Sequence, residues 1–249
     1  MADDLDGDDD LFPVGDTVSA QDAGNPAAGH RARLRQRLLA GGIDALADHE
    51  VIEFLLMGAI PRRDVKPLAR ALMARFGSLA GVLDADGRTL AGMAGMAGMG
   101  EASAAALKIV AFAARRLARQ AVRETPVLGS WQALIDYLHI DMAHLTVERV
   151  RVLYLNAQNM LIEDYHVGDG SIDEASIHPR EVIRRALDIG AVALILVHNH
   201  PSGSPQPSRA DIQITNRIAE AGRLLGITVH DHVIIGREGH VSLRAKGLV

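Results

Sequence analysis

The chain has 249 residues, of which 48% are hydrophobic and 23% charged, and this is enough for two modest globular domains and a tail. It contains no cysteine, which excludes disulfides, thiolate nucleophiles and cysteine-based zinc sites, so any metal must be bound by histidine and carboxylate side chains. The net charge of −5 is uneven, because residues 1–30 carry eight Asp and no Lys or Arg and leave a mildly basic remainder.

Residues 1–28 are acidic and poor in large apolar side chains, which predicts a disordered tail. The acidic start is unlike a signal peptide, and no apolar stretch is long enough to span a bilayer. We therefore expect a cytoplasmic protein that does not bind membranes.

Residues 29–124 are predicted to form an all-α domain. Apolar residues recur at helical spacing in RARLRQRLLAGG, DALADHEVIEFLLMGAI, VKPLARALMARFGSLAGVLDA and EASAAALKIVAFAARRLARQAV. Asp44 and Asp48 are candidate caps of the second helix, and Gly77 is predicted to break the third. The basic run at residues 115–123 is either a solvated helix face or a contact for phosphates.

The segment AGMAGMAGMG before the fourth helix has two interpretations. It is either a low-complexity linker or the hairpin of a helix-hairpin-helix, which it resembles at Gly98, Gly100 and Ala104. In the second interpretation Gly98 and Gly100 let backbone amides at a helix N-terminus approach a DNA phosphate. We expect a helix-hairpin-helix-like domain and treat DNA binding through it as a separate hypothesis, since a fold alone does not establish an activity.

Residues 127–249 are predicted to form an α/β domain with a mixed sheet. SWQALIDYLHIDMA is helical, VERVRVLYLNAQNMLIEDYHVG contains two strands joined at residues 156–159, and HPREVIRRALDIG is a helix between Pro179 and Gly190. AVALILVH is continuously apolar, which predicts a central strand. SRADIQITNRIAEAGRLLG is the next helix, and ITVHDHVIIG and HVSLR supply the last strands.

The end of the apolar strand carries the most informative polar residues. In an extended chain alternate side chains point the same way, so His198 and His200 can converge while Asn199 faces away. With Asp211 they form a set of two histidines and one carboxylate, which is common for catalytic zinc and leaves a position for water, so a hydrolase is predicted. The plainer interpretation is structural, because Ser208 and Asp211 also fit a capping box at a helix start.

The motif HNHPSGSPQPSRAD resembles the signature of the JAMM (MPN) metalloproteases, and with HPREV and HDHVIIG it resembles the bacterial RadC family. The resemblance covers about residues 30–249 and implies a JAMM/MPN, cytidine-deaminase-like α/β fold behind an all-α helix-hairpin-helix-like domain. It implies that His198, His200 and Asp211 bind Zn²⁺. It also implies that Ser208 donates a hydrogen bond to the developing oxyanion.

The same resemblance implies an upstream glutamate that holds the attacking water and takes its proton. Glu148 is preferred because it directly precedes the first apolar strand, and Glu181 of HPREV is the rival. The implied reaction is hydrolysis of a peptide or isopeptide bond in an unknown protein substrate, without a covalent intermediate. A zinc deaminase is a weaker alternative, because its usual signature needs a cysteine pair.

An alternative function of a different class also follows from the resemblance. RadC proteins have long been labelled as DNA-repair proteins, which implies a DNA-associated protein whose C-terminal domain is mainly an interaction module. Contact with DNA would then use the helical domain. Exposed edges of the mixed sheet would support a homodimer.

Four further residues have a functional or a structural interpretation. His230, Asp231 and His232 have alternating spacing, which fits a second metal site, a second shell to the first site, or a structural group of the strand. Asp231 is also expected to orient a ligand histidine. His178 fits a helix N-cap.

Overall fold

The structure is a computed structural model that describes residues 26–42, 44–61, 63–93, 98–170 and 177–249. Across those ranges, none of the helices has the length and apolar character that crossing a bilayer requires. The helices before residue 125 are α1 (Pro26–Gly41), α2 (Asp48–Ala59), α3 (Lys66–Phe76), α4 (Leu79–Asp84), α5 (Gly87–Ala91) and α6 (Glu101–Glu124). Helix α1 begins inside the predicted tail, whose residues 1–25 lie outside the described part of the chain.

The helical region packs around one apolar core that α2, α3 and α6 share. The predicted break at Gly77 is confirmed, because this residue ends α3 with a φ of 82°, which glycine adopts without steric cost. The predicted caps of α2 were wrong: its N-cap is Ala47, and Asp48 is already the first helical residue. The Glu50 carboxylate accepts a hydrogen bond from the Ala47 amide, so the helix start is stabilised from its first turn and not from the cap side chain.

The chain after residue 125 forms α7 (Trp131–Met142), β1 (Arg149–Leu155), β2 (Leu161–Asp169), α8 (Pro179–Asp188), β3 (Ala193–Asn199), α9 (Arg209–Arg223), β4 (Thr228–Gly236) and β5 (Gly239–Ser242). The five strands make one sheet in the order β2-β1-β3-β4-β5. Strand β3 is parallel to β4, and the other neighbours are antiparallel. This mixed sheet with β3 at its centre confirms the predicted α/β fold class.

Side-chain alternation divides the core of the sheet between its two faces. Leu153 and Val197 pack with α7 on one face, whereas Val152 and Leu196 pack with α8 and α9 on the other. Both faces of β3 are therefore covered, which explains why this strand is continuously apolar and completely buried. By the same alternation, His198 points to the face that α9 covers.

Helix α6 joins the helical region to the sheet. Its Leu107 is buried in the helical core, and its Val122 is buried in the core between α7 and the sheet. The division into residues 29–124 and 127–249 stays a prediction, because one helix contributes to both cores. Arg115, from the predicted basic run, forms ion pairs with Asp84 and Asp141 and so does not belong to a solvated face, whereas the other arginines of the run are exposed.

Candidate metal centre

Four polar side chains meet beside the carboxyl end of β3. His198 is the penultimate residue of that strand, and His200 directly follows it. Asp211 lies in the first turn of α9. Glu148 directly precedes β1, whose Val150 is paired with His198. Because side chains alternate along β1, Glu148 and Val150 lie on the face of the sheet that His198 occupies.

The ligand atoms of this group are close together. The Nε2 atoms of His198 and His200 are 2.9 Å apart. Oxygens of the Asp211 carboxylate lie 3.4 Å from Nε2 of His198 and 3.9 Å from Nε2 of His200. Glu148 and the two histidines each offer one ligand atom within 4.8 Å of the others. The structure thus brings together the three predicted ligands and the predicted base.

The loop after His200 is held against the end of β4. The His200 amide donates to the Ile235 carbonyl at 2.8 Å, and the Arg237 guanidinium donates to two carbonyl oxygens of the loop. The backbones approach so closely that a Cβ at Gly236 would lie 2.1 Å from the Gly203 carbonyl oxygen. Glycine at position 236 is therefore required for this loop path, which directs His200 back toward the strand end.

A backbone carbonyl sets the tautomer of His200. Its Nδ1 lies 2.9 Å from the Ser204 carbonyl oxygen, which can only accept a hydrogen bond. In the neutral ring the proton is therefore on Nδ1. This leaves a lone pair on Nε2, the atom that faces His198.

A buried chain of hydrogen bonds sets the tautomer of His198. The Thr215 hydroxyl lies 2.5 Å from the Asp211 carbonyl oxygen, to which it must donate, and 2.6 Å from Nδ1 of His232, from which it therefore accepts. The proton of neutral His232 is then on Nδ1, and its Nε2 accepts from Nδ1 of His198 at 2.8 Å. His198 is consequently left with a lone pair on Nε2, like His200.

Burial keeps the imidazole rings of His198 and His232 neutral. It lowers the pKa of His198 to about 3, with the nearby His200 as the second cause, and it lowers the pKa of His232 well below the usual value. With His200 in its neutral form, two nitrogen lone pairs and the Asp211 carboxylate face one another. This donor set fits a metal cation, because a cation replaces the repulsion among electron-rich atoms with coordination.

The capping interpretation of Ser208 and Asp211 is confirmed. The Ser208 hydroxyl accepts from the Asp211 amide at 3.1 Å, and the Asp211 carboxylate accepts from the Ser208 amide at 2.6 Å. This capping box holds the Asp211 carboxylate, which is 2% exposed, against the histidines. Ser208 is exposed, and its bond to the amide uses only a lone pair, so the hydroxyl proton is left for donation.

The two candidate glutamates occupy different environments. Glu148 is half-buried beside the histidines, whereas Glu181 is exposed on α8 and pairs with Arg184. His178 occupies the N-cap position of α8, as predicted, but its side chain makes no capping hydrogen bond. A capping side chain would accept a hydrogen bond from the Glu181 amide, but this amide already donates to the His178 carbonyl.

A β-bulge breaks the alternation of His230 and His232. The pairing of β4 with β3 skips His230, whose ring contacts Asn159 at 2.8 Å, whereas the ring of His232 reaches His198. Within the described ranges these two histidines contribute to no second metal cluster. Of these two histidines, only His232 hydrogen-bonds to one of the candidate metal ligands.

Asp231 forms hydrogen bonds with the backbone and not with the ring of a candidate metal ligand. Its carboxylate accepts from the backbone amides of His232 and Arg244 and from the Ser242 hydroxyl, which joins β4 to β5 and the residues after it. The expectation that Asp231 orients a ligand histidine was wrong, because His198 is bonded to the ring of His232 instead.

Asn199 faces the opposite side of the sheet from the histidines, as predicted. Its side-chain oxygen accepts from the Arg149 amide and its side-chain nitrogen donates to the Val147 carbonyl. Glu148 lies between those two residues. Asn199 therefore ties the segment that carries Glu148 to the end of β3.

Thr215 was not identified from the sequence. A signal was present, since Thr215 lies four residues after Asp211 and so shares its face of α9. The sequence did not show that β4 passes beside that face and places His232 against the threonine. This contact requires the tertiary structure.

Gly98 and Gly100 lie in the helical region. Gly98 has a φ of 106°, and a Cβ there would lie 3.0 Å from Cδ1 of Ile60, so close packing accounts for this glycine. Gly100 is the N-cap of α6. Residues 94–97 of the predicted hairpin lie outside the described residues. DNA binding through Gly98 and Gly100 stays a prediction.

Comparison with known proteins identifies relatives along most of the chain. A family model described as a RadC-like JAB domain matches residues 128–248. A UPF0758 protein from Rhodobacter capsulatus is 50% identical over 216 residues, which is 87% of this chain and 100% of that relative. A UPF0758 protein from Ruegeria pomeroyi is 49% identical over 218 residues, which is 88% of this chain and 96% of that relative. These matches are longer than the domain model, so the likeness includes part of the helical region.

Proposed function

Because the chain belongs to the RadC family of JAB-domain proteins, we propose that it is a zinc-dependent hydrolase of the JAMM type that cleaves a peptide or isopeptide bond. The observation that carries this proposal is the convergence of two imidazole lone pairs and the Asp211 carboxylate beside Glu148. Three ligands from the chain leave a coordination position open, as catalytic zinc sites do. Glu148 is then the carboxylate that accepts and returns a proton.

The donor set favours zinc among the common divalent cations. Imidazole nitrogen combined with carboxylate oxygen suits zinc, whereas magnesium and calcium prefer ligands that are all oxygen. When bound, zinc supplies the Lewis acid that polarises a carbonyl group and lowers the pKa of water. The bonds from His198 to His232 and from His200 to the Ser204 carbonyl orient both imidazoles toward the cation position.

Glu148 and Ser208 carry the proposed steps of the reaction. Glu148 accepts a proton from the attacking water while the water oxygen bonds to the carbonyl carbon. It then gives that proton to the amine nitrogen as the carbon–nitrogen bond breaks. Ser208 donates a hydrogen bond to the carbonyl oxygen, where negative charge develops. The exposure of Ser208 at the start of α9 makes its hydroxyl accessible to a substrate.

Metal content tests the site directly. The full-length wild type is loaded with zinc, dialysed and compared by elemental analysis with His200→Ala, Asp211→Ala and the exposed control His240→Ala. We expect about one zinc per chain in the wild type and the control, and loss of zinc in both site variants. A wild type without zinc would mean that the cluster is structural, and the proposal would be abandoned.

The alternative function, a DNA-associated protein with a C-terminal interaction module, gives a different experimental pattern. DNA binding through basic side chains weakens as salt rises and is independent of a general base. The zinc-loaded wild type and Glu148→Gln are therefore compared in both DNA-binding and peptide or isopeptide hydrolysis assays. Salt-sensitive DNA binding without hydrolysis by either protein would favour the alternative.

A further inference from the structure

A second cavity lies away from the metal centre, where the start of α7 meets β5 and the residues after it. Its volume is about 750 Å³, which is in the range of small-molecule sites. Trp131, His230, Arg244 and Lys246 contribute to its wall. The cavity shares no residue with the proposed metal ligands.

Trp131 gives the cavity a planar aromatic wall. It is the only tryptophan in the chain, it is the first residue of α7, and it remains partly exposed. Leu128 and Val241 extend the apolar surface beside it. A partly exposed indole in the cavity wall suits a flat aromatic ring.

Two cations in the wall have neutral partners. Arg244 donates to the His230 carbonyl at 3.0 Å, and Lys246 donates to the side-chain oxygen of Gln206 at 3.1 Å. Neither forms an ion pair with a carboxylate of the part of the chain that the structure describes. A guanidinium has five N–H donors and an ammonium has three, so both cations keep donors for an incoming anion.

Among the lining residues, the carboxylate of Asp231 and the ring of His230 do not cancel this charge locally, and the exposed His240 supplies no negative charge. Asp231 is 4% exposed, and both of its carboxylate oxygens accept hydrogen bonds, from two backbone amides and the Ser242 hydroxyl. Burial, aided by the charge of Arg244, lowers the pKa of His230 and keeps that ring neutral. The accessible charge is therefore that of Arg244 and Lys246.

We propose that this cavity binds a small aromatic anion of the nucleoside monophosphate class. The base would stack on Trp131, and the phosphate would accept hydrogen bonds from Arg244 and Lys246. A phosphate matches the pair of cations because it combines several acceptor oxygens with up to two negative charges. This site is independent of the proposed hydrolase activity.

Trp131 also makes the proposal measurable, because all tryptophan fluorescence of the protein comes from the cavity wall. AMP is titrated into the full-length chain, with excitation at a wavelength that AMP does not absorb. We expect saturable quenching by AMP. Adenosine lacks the phosphate and inorganic phosphate lacks the ring, so each should bind at least about tenfold more weakly, with phosphate measured by competition against AMP.

Charge variants test the phosphate contacts. Arg244→Gln and Lys246→Gln should each weaken AMP binding roughly tenfold, whereas the exposed control Arg223→Gln at the end of α9 should bind like the wild type. Using two variants at different positions keeps the test decisive if one of them fails to fold. Absence of saturable quenching, equal affinity for AMP and adenosine, or unchanged affinity in the folded charge variants would each overturn the proposal.

Discussion

The helical region and the sheet region of this molecule differ in how many polar side chains they bury and in the partners of those side chains. Among the described residues before 125, the buried polar side chains are Glu53 and Ser103, and each has a simple partner: Glu53 contacts His30, and Ser103 donates to the Gly98 carbonyl. The sheet region buries a larger set, namely Arg151, His198, Asn199, Asp211, Thr215, Asp231 and His232.

This difference indicates where function lies. A buried polar group costs free energy unless it is hydrogen-bonded, so local pairs such as that of Ser103 are sufficient for stability. In the sheet region a chain of hydrogen bonds runs from Thr215 through His232 to His198. It ends at a lone pair on Nε2 of His198, which faces the lone pair on Nε2 of His200. A network that ends in facing lone pairs fits the proposed metal site, and this contrast can be tested in four ways.

The largest expected effect is on hydrolysis by Glu148→Gln. Removal of the general base should lower kcat on the order of 10²- to 10⁴-fold, while the zinc content stays at the wild-type level because Asp211 and both histidines are intact. The matched control is Glu181→Gln, on the exposed face of α8, which should hydrolyse substrate at the normal rate. Full activity of Glu148→Gln would remove Glu148 from the mechanism.

The second prediction concerns the stability of the metal-free protein against pH. A histidine titrates near 6.5 in an unfolded chain, but burial lowers the pKa of His198 to about 3 and depresses that of His232. Below about pH 6.5 the unfolded state therefore binds more protons than the folded state, so stability is complete above that pH and falls as the pH drops toward 3. The slope should be about 1.4 kcal/mol per pH unit for each such histidine.

Urea unfolding of the metal-free protein at about pH 7.5 and pH 5 measures this slope. His232→Gln removes one of the two buried titrating rings and should show a shallower loss. A wild-type stability that is equal at the two pH values would contradict the buried, neutral state of these rings.

The third prediction separates the two histidines of β4. His232→Leu leaves the Nδ1–H of His198 without its acceptor, so zinc affinity should fall about 10- to 100-fold. His232→Gln, whose amide oxygen can accept that hydrogen bond, should recover part of the loss. His230→Gln is the control, because the bulge directs His230 away from His198. Competition with a chromophoric chelator measures the zinc affinities of the wild type and the three variants. Equal losses of affinity at positions 230 and 232 would refute the hydrogen-bond chain from His232 to His198.

The smallest effect is expected in the helical region. Gly98→Ala should destabilise the protein by about 1–2 kcal/mol, because of its positive φ and the contact with Ile60. Gly100→Ala should change stability by less than about 0.5 kcal/mol, because its backbone is extended and no atom lies near the added Cβ. Chemical denaturation compares the two, and zinc content should be unchanged in both. A loss of DNA affinity in Gly100→Ala at normal stability would instead support the predicted phosphate contact.

Much of the fold and of the ligand set followed from local patterns. The apolar run of β3 indicated a strand buried on both faces, and the structure places it at the centre of the sheet. His198 and His200 are two residues apart in extended chain, and Ser208 and Asp211 are three apart at a helix start. Helix-start geometry accounts for the Ser208–Asp211 pair, whereas the approach of His200 to His198 also depends on the loop that is held against the end of β4.

Local patterns failed where the outcome depended on packing between distant segments. The cap of α2 was wrong because the Ala47 amide is satisfied by the Glu50 carboxylate. The role of Asp231 was wrong because its carboxylate accepts from backbone amides, while His198 is bonded to the His232 ring. The spacing of His230 and His232 suggested equivalent side chains, but a bulge in β4 separates them. No pattern within β4 showed that one residue of that strand is skipped in the pairing.

The sequence by itself determined the candidate metal-binding side chains: two imidazoles and a carboxylate within a short strand–loop–helix segment, in a chain without cysteine. Only the tertiary structure decided that Glu148 and not Glu181 lies beside them, and that His232 and Thr215 set the tautomer of His198. The physical reason is that strand register and helix placement are set by burial of apolar faces across the whole sheet, and neighbouring residues in the sequence do not specify them.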